Sequence, residues 1–455
     1  MSQAPVQTPG RPGPSAQAPT SAPSAVPSSP LGVGTGSLLT RARVLLGPVV
    51  EGTPGRMRLV AAAAALVAAV FGLVGATALW SSAASLERAD HNASQVVRVQ
   101  GIYADLLRAD AAATNAFLVG GLENPAQRAD YDTAMGSVAR AVTAAATAQP
   151  ADGTALGALN ASVQTYAATV EQARVYNRQG LPLGAQYLNN ASTGLRSTAL
   201  PLVDAVAQAN AGRAEQEFAA SSNAVGLTVA GVVALLALVA AMVWLARRTH
   251  RYLNAPLAAS TALLLLALGL GATTLGSVST HIAAVRGTAY QSTVSLASAR
   301  SAAFDAKSQE SLTLIARAGS TSEASWKRPS DAVLENLKKL AAAQPAASTT
   351  AADLTRQWND YVAQHQAIRQ LDDGGQWEQA VAAATRTDNG SANALFTAFT
   401  TSAGRGLDTF SSETQARLDE PRTRTTIIGW ALLVICLAAA GLAVRGVAQR
   451  LQEYR

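Results

Sequence analysis

The amino-acid sequence predicts an all-α membrane protein with four transmembrane helices and two extracytoplasmic four-helix-bundle modules in tandem. Three observations predict it. Four apolar segments are each long enough to cross a bilayer. They recur at two nearly equal intervals, giving a doubled unit of span, large module and span. The stretches between them carry hydrophobic residues at helical spacing, with no alternating β-branched run that would read as a strand.

Residues 1–55 come first and are rich in Pro, Ser, Ala and Gly (MSQAPVQTPGRPGPSAQAPTSAPSAVPSSP). They hold too few large apolar side chains to bury a core and are predicted to form a disordered cytoplasmic tail. A secretory signal would place a short apolar stretch near the start, whereas here the first one begins at Leu59 and has full spanning length. That first span, 59–80 (LVAAAAALVAAVFGLVGATALW), carries no charge. As a helix it is roughly 33 Å long, matching a hydrocarbon core of about 30 Å. The second span is expected at 224–245, the third at 256–278 and the fourth at 426–444. Thr273, Thr274, Gly276 and Ser277 dilute the end of the third.

The first module occupies 81–223. Val96, Ile102, Tyr103, Leu106, Leu107 and Phe117 recur at helical spacing until Gly120 and Gly121 stop the helix. Asn124 is placed to cap a second helix with Pro125 at its first position. Pro150 and Gly153 mark the next turn, a third helix runs to Gln179, and Gly180 and Pro182 turn the chain back toward the second span. The second module, 279–425, repeats the plan, with breaks at Gly319 to Pro329, at Pro345 and at Gly374 and Gly375, and then a return helix into the fourth span. Tyr166 precedes Gly180 by the same fourteen residues that separate Tyr361 from Gly375. Among the tryptophans of this half, Trp358 reads as a buried anchor, while Trp326 and Trp377 stand beside breaks and could equally face a partner.

Orientation follows from the arginines, since Lys and Arg close to span ends tend to stay in the cytoplasm. Arg41, Arg43, Arg56 and Arg58 precede the first span, Arg247, Arg248 and Arg251 fill the hinge 246–255, and Arg445, Arg450 and Arg455 follow the last span. Both termini and the hinge are therefore expected inside a plasma membrane. Arg422 and Arg424 stand against this pattern, beside Asp419 and Glu420 on the expected outer side.

Composition and motifs argue against several function classes. Hydrophobic residues make up 49% of the chain but aromatics only 5%, which suits long helices packed through small side chains better than a sculpted catalytic pocket. No enzyme activity and no cofactor are expected. The four histidines are scattered singly, with no HExxH, CxxC or GxxxxGK[ST], so no metal or phosphate site is expected. The single cysteine, Cys436, lies within the fourth span and reads as a small buried hydrophobe. The net charge of +6 is explained by the inner arginines, with no nucleic-acid partner implied. Transport is not favoured, because the span interiors lack ionisable residues and proline breaks. Gly72, Gly75, Gly226, Gly231, Gly269 and Gly271 are expected to let helices approach closely in the membrane, and a homodimer is compatible with them.

Neither a kinase nor a methyl-accepting or nucleotide-binding domain follows the last span, so whatever the modules sense is expected to pass to another protein. The surfaces offered are the inner hinge (Arg247, Arg248, Arg251) and the module breaks (Gly120, Gly121, Glu123, Gly180, Trp326, Gly374, Gly375, Trp377). The layout, and the stretch RADAAATNAFLVGGLENPAQRADYDTAM in particular, resembles the GlnX-type membrane proteins of actinobacteria. The resemblance implies a relay of amino-acid status. A glutamine-binding-type solute-binding lipoprotein, loaded with glutamate or aspartate, would dock outside, and a PknG-type Ser/Thr kinase would be activated inside. Two other readings remain open: a chemoreceptor-like sensor that binds a small molecule directly, and a structural cell-envelope protein.

Overall fold

Helix α1 (Thr53–Val119) runs for 67 residues in the computed structural model and so joins the first span to the first module without a hinge. Gly101 is the single glycine between Trp80 and Val119 and there is no proline, so nothing in this stretch interrupts the backbone hydrogen bonding. The structure describes residues 53–119, 123, 125–221, 224–249, 254–317 and 323–452; nearly all of the predicted tail lies outside them. All regular structure among the described residues is helical.

The first module continues with α2 (Pro125–Ala148), a single 3-10 turn (Pro150–Asp152) and α3 (Gly153–Arg178). The return path is α4 (Leu183–Gly194), a π-turn (Leu195–Ala199) and α5 (Leu200–Ser221), after which α6 (Val225–Thr249) holds the second span. The second half begins with α7 (Ala255–Val285), which passes through a π-turn (Arg286–Tyr290) into α8 (Gln291–Ala316). It is completed by α9 (Glu323–Ala343), α10 (Pro345–Asp373), the short α11 (Trp377–Thr385) and the 61-residue α12 (Ala392–Gln452), which contains the fourth span. Among the described residues four helical stretches are thus long and apolar enough to cross a membrane, and α1, α7 with its continuation α8, and α12 carry on from span into module.

Two expectations need correction. Pro329 does not start a helix; it is buried inside α9, six residues on from Glu323, where its missing N–H removes one intrahelical bond and its ring crowds the preceding turn. The return path of the second module is not one helix either. It breaks between α11 and α12, where Ser391 N–H donates to Asp388 at 3.0 Å, Gly390 has φ +81, and the Ser391 hydroxyl accepts the Ala394 N–H at 3.3 Å as a helix cap. The Asn389-Gly390 pair is the sequence signal for that turn.

Three layers of core stack along the long helices. At the spans, Phe71, Leu238, Leu264, Leu432 and Cys436 form a buried four-helix centre. Leu66, Val233, Leu265 and Val434 point away from it and are more than half exposed, as lipid-facing side chains are. Gly72 and Gly75 allow α1 to press on α12: a Cβ at Gly72 would lie 2.5 Å from the Cβ of Cys436, and one at Gly75 would lie 2.6 Å from Leu432. Gly231 and Gly271 serve in the same way, whereas Gly226 and Gly269 face open space and make no such approach. Above the spans a stalk is formed by Leu86, Phe218, Val278, Ile282 and Leu418. Arg88 binds Glu217 at 2.8 Å there, and Arg422, anomalous in the charge pattern, pairs with Glu87 at 3.0 Å.

The third layer is the module core. It is a single cluster shared by both modules, from Leu107, Leu159 and Val203 in the first to Leu296, Trp358 and Phe399 in the second. The modules are therefore packed side by side and do not act as independent domains.

Candidate functional site

The ends of the modules farthest from the spans hold most of the predicted contact residues. From Trp80 to Val119, α1 rises ~60 Å at 1.5 Å per residue, which sets the reach of this tip. Gly120 and Gly121 lie outside the described residues. Gly180 (φ +69) and Gly375 (φ +75) are exposed and end α3 and α10 in the same way. The Leu181 N–H donates back to Tyr176 at 3.0 Å, and the Gln376 N–H to Leu371 at 2.8 Å. This is the Schellman turn, whose left-handed residue is normally glycine, so helix termination accounts for both positions. Gly374 is exposed beside Gly375 and donates to Gln370 at 3.1 Å.

The tryptophans split. Trp326 turns inward: it is 6% exposed and stacks on His365 with ring centroids 3.6 Å apart, which removes it as a partner contact. Trp377 is half-buried, donates its indole N–H to Leu314 O at 2.8 Å and lies under the Arg317 guanidinium at 4.0 Å, so it closes the end of α8. Glu123 pairs with Arg174 at 3.1 Å. At the other end of the molecule Arg247 and Arg248 are exposed in the last turn of α6; Arg251 lies outside the described residues.

Near the Glu123 tip a cavity of about 330 Å³ opens between α1, α2, α3 and α4, lined by Phe117, Glu123, Arg128, Arg174, Arg178 and Leu188 among others. Val119, Val175, Leu181 and Leu183 lie exposed at the same end of the module. A second cavity, about 370 Å³, lies between the modules, where Tyr103 and Val203 face Ser301, Asp305 and Pro329. Burial first, and then the charges of Asp204 and Asp305, push the Tyr103 hydroxyl up to about 12.

Two buried polar clusters escaped the sequence reading. In the first module Asp110, with no exposed surface, accepts from Tyr166 (3.2 Å), Ser192 (2.6 Å) and Arg196 (2.9 Å). The cluster crosses to the second module, since Ser308 donates to Asp110 at 2.5 Å and Arg196 reaches Asp305 at 2.7 Å. In the second module Glu310, 1% exposed, accepts from Lys307 (2.6 Å) and Tyr361 (3.1 Å) and faces His365 (2.7 Å). His365 reaches on to Glu323 at 3.3 Å. Burial alone would raise the Glu310 carboxyl, but the Lys307 charge and the His365 hydrogen bond override it and hold it at about 2. Each module thus carries a buried carboxylate bonded to the tyrosine that precedes the tip glycine by fourteen residues.

Within the described residues, no group of three or more His, Cys, Asp or Glu side chains is arranged to hold a metal ion. No curated protein matches the chain in sequence. Residues 85–219, which span the first module from the stalk to the tip and back, match the family model of the actinobacterial sensor domain, so over this module the chain is similar to actinobacterial sensor proteins.

Proposed function

We propose that this chain is a transmembrane signal relay of the actinobacterial envelope. In this reading the modules stand outside, an amino-acid-loaded solute-binding lipoprotein docks on their tips, and a cytoplasmic Ser/Thr kinase reads the basic hinge around Arg247 and Arg248. The observation that carries it is helix continuity. Part of the module core is built by helices that also cross the membrane, with α1 running over 67 residues and α12 over 61. A displacement at the tip then reaches the inner face through α1 with no proline to bend it above the span, whereas α12 carries Pro421 where stalk meets span. A partner that favours one of two helix arrangements by about 1 to 3 kcal/mol suffices for a useful switch. The exposed apolar side chains at the first tip support docking there, and the arginines at the span ends support the orientation.

The test is a run of four glycines inserted in α12 after Glu420, at the junction of stalk and span. Lipoprotein binding should persist while phosphorylation of the kinase substrates no longer responds to external glutamate or aspartate. A response that survives the insertion would remove helix continuity as the conduit. A second reading, direct sensing of a small molecule, is favoured by the distal cavity lying inside the stretch that matches the sensor domain.

A further inference from the structure

The distal cavity of the first module is built from small residues on facing helices. Ala113 and Ala116 on α1 and Ala173 on α3 leave the space, and Phe117, Val170 and Leu188 complete an apolar floor. The walls are tight. Gly184 brings α4 so close to α3 that a Cβ there would lie 3.0 Å from the Ala173 carbonyl and 3.2 Å from the Phe117 ring. The void is therefore a feature of closely packed helices, and at about 330 Å³ it falls in the range of small-ligand sites, roughly 300 to 1,000 Å³.

Charge at the mouth selects the ligand. Arg174 is satisfied by Glu123 at 3.1 Å and Glu171 at 2.6 Å, and Arg128 by Asp132 and Glu171. Arg178, one turn beyond Arg174 on α3, also lines the cavity and has no acidic partner among the described residues. The one acidic group on the lining, Glu123, is already held by Arg174, so no carboxylate stands ready for a ligand ammonium. An apolar floor beneath an uncommitted guanidinium matches an amphipathic anion better than a zwitterion or an amine.

We propose that this cavity binds a small organic carboxylate with an aliphatic or aromatic body, its apolar part on Phe117 and Leu188 and its carboxylate on Arg178. The proposal rests on the direct-sensing reading and names the ligand class for it. Binding is measured by fluorine NMR on the full chain in lipid nanodiscs, with para-trifluoromethyl benzoate as the probe and its neutral amide and the matching benzylamine as comparators. The benzoate should show saturable binding, with the amide and the amine weaker by about tenfold or more. Arg178→Ala should reduce benzoate binding to the level of the amide, and Arg178→Lys should restore part of it. Because Arg178 is exposed, these variants keep the fold, which an unchanged thermal midpoint would verify. Ala116→Leu should fill the void and abolish binding of all three probes. Equal binding of benzoate and amide, or benzoate binding unaffected by Arg178→Ala, would overturn the assignment. Saturable benzoate binding without any change in kinase output would sink direct sensing while leaving the site intact, and the α12 insertion tests the relay independently of both.

Discussion

Arg196 in the first module and Asp305 in the second form an ion pair of 2.7 Å, and the same guanidinium holds the fully buried Asp110 at 2.9 Å. One side chain therefore ties the two modules to each other and neutralises a carboxylate in the core. Replacing Arg196 with Met would leave Asp110 buried without its counter-ion, a loss of about 3 kcal/mol or more. Asp305→Asn should cost far less, about 1 kcal/mol, because that carboxylate is partly solvated and the neutral amide can still accept from Arg196. Thermal unfolding of the full chain in nanodiscs measures both, and equal effects of the two substitutions would deny Arg196 its second role at Asp110.

Helices, spans and the tip glycines were legible in the sequence because each depends on a local signal: hydrophobic period, unbroken apolar length, or Gly and Pro punctuation. Even the fourteen-residue spacing of Tyr166 to Gly180 and Tyr361 to Gly375 was visible. What it meant was not, because the partners Asp110 and Glu310 come from helices more than fifty residues away in sequence. His365 read as a lone histidine for the same reason, since Glu310 and Glu323 reach it from two other helices. Trp326 was misplaced by its position near a break. Its neighbours in the chain are polar, and only the packing of α9 against α10 turns its ring onto His365. Glycine in a span carries still less directional information, so sequence alone did not separate the four that sit between helices from the two that face outward.

That division makes a prediction. Gly72→Val and Gly75→Val push side chains into Cys436 and Leu432 on α12, and overpacking of this kind costs about 1 to 3 kcal/mol. Gly226→Ala and Gly269→Ala meet open space and should be neutral or slightly stabilising, since alanine is the better helix former by about 1 kcal/mol. Heat inactivation of the purified protein, followed by the loss of native helical signal, orders the four variants. A destabilised Gly269→Ala would mean that another surface, such as a second copy of the chain, covers that face.

His365 provides the pH dependence. Its two ring nitrogens face Glu310 and Glu323, and only the imidazolium can donate to both. Burial disfavours that charge, yet the hydrogen bonds and charges of Glu310 and Glu323 prevail, so His365 titrates above its usual value. Lys307, Tyr361 and Arg369 complete the surroundings, with Arg369 reaching Glu323 at 3.3 Å and Asp372 at 2.6 Å. A group whose folded value is raised contributes its full stabilisation below the unfolded value, about 6.5, and loses it as pH rises through the folded value. Glu310 behaves oppositely: its contribution is complete above the ordinary carboxylate range and is lost only as the pH falls toward about 2. The clamp between α8, α9 and α10 should accordingly be tightest in mildly acidic solution and loosen on alkalinisation, with Glu323 released first because it is the more exposed partner. Hydrogen exchange of the 323–333 segment, corrected for the intrinsic effect of pH, should lose protection as the pH rises through the raised value of His365, and His365→Gln should flatten that response. Protection that stays constant from mildly acidic to alkaline pH would show that the imidazole bridges these helices without its proton.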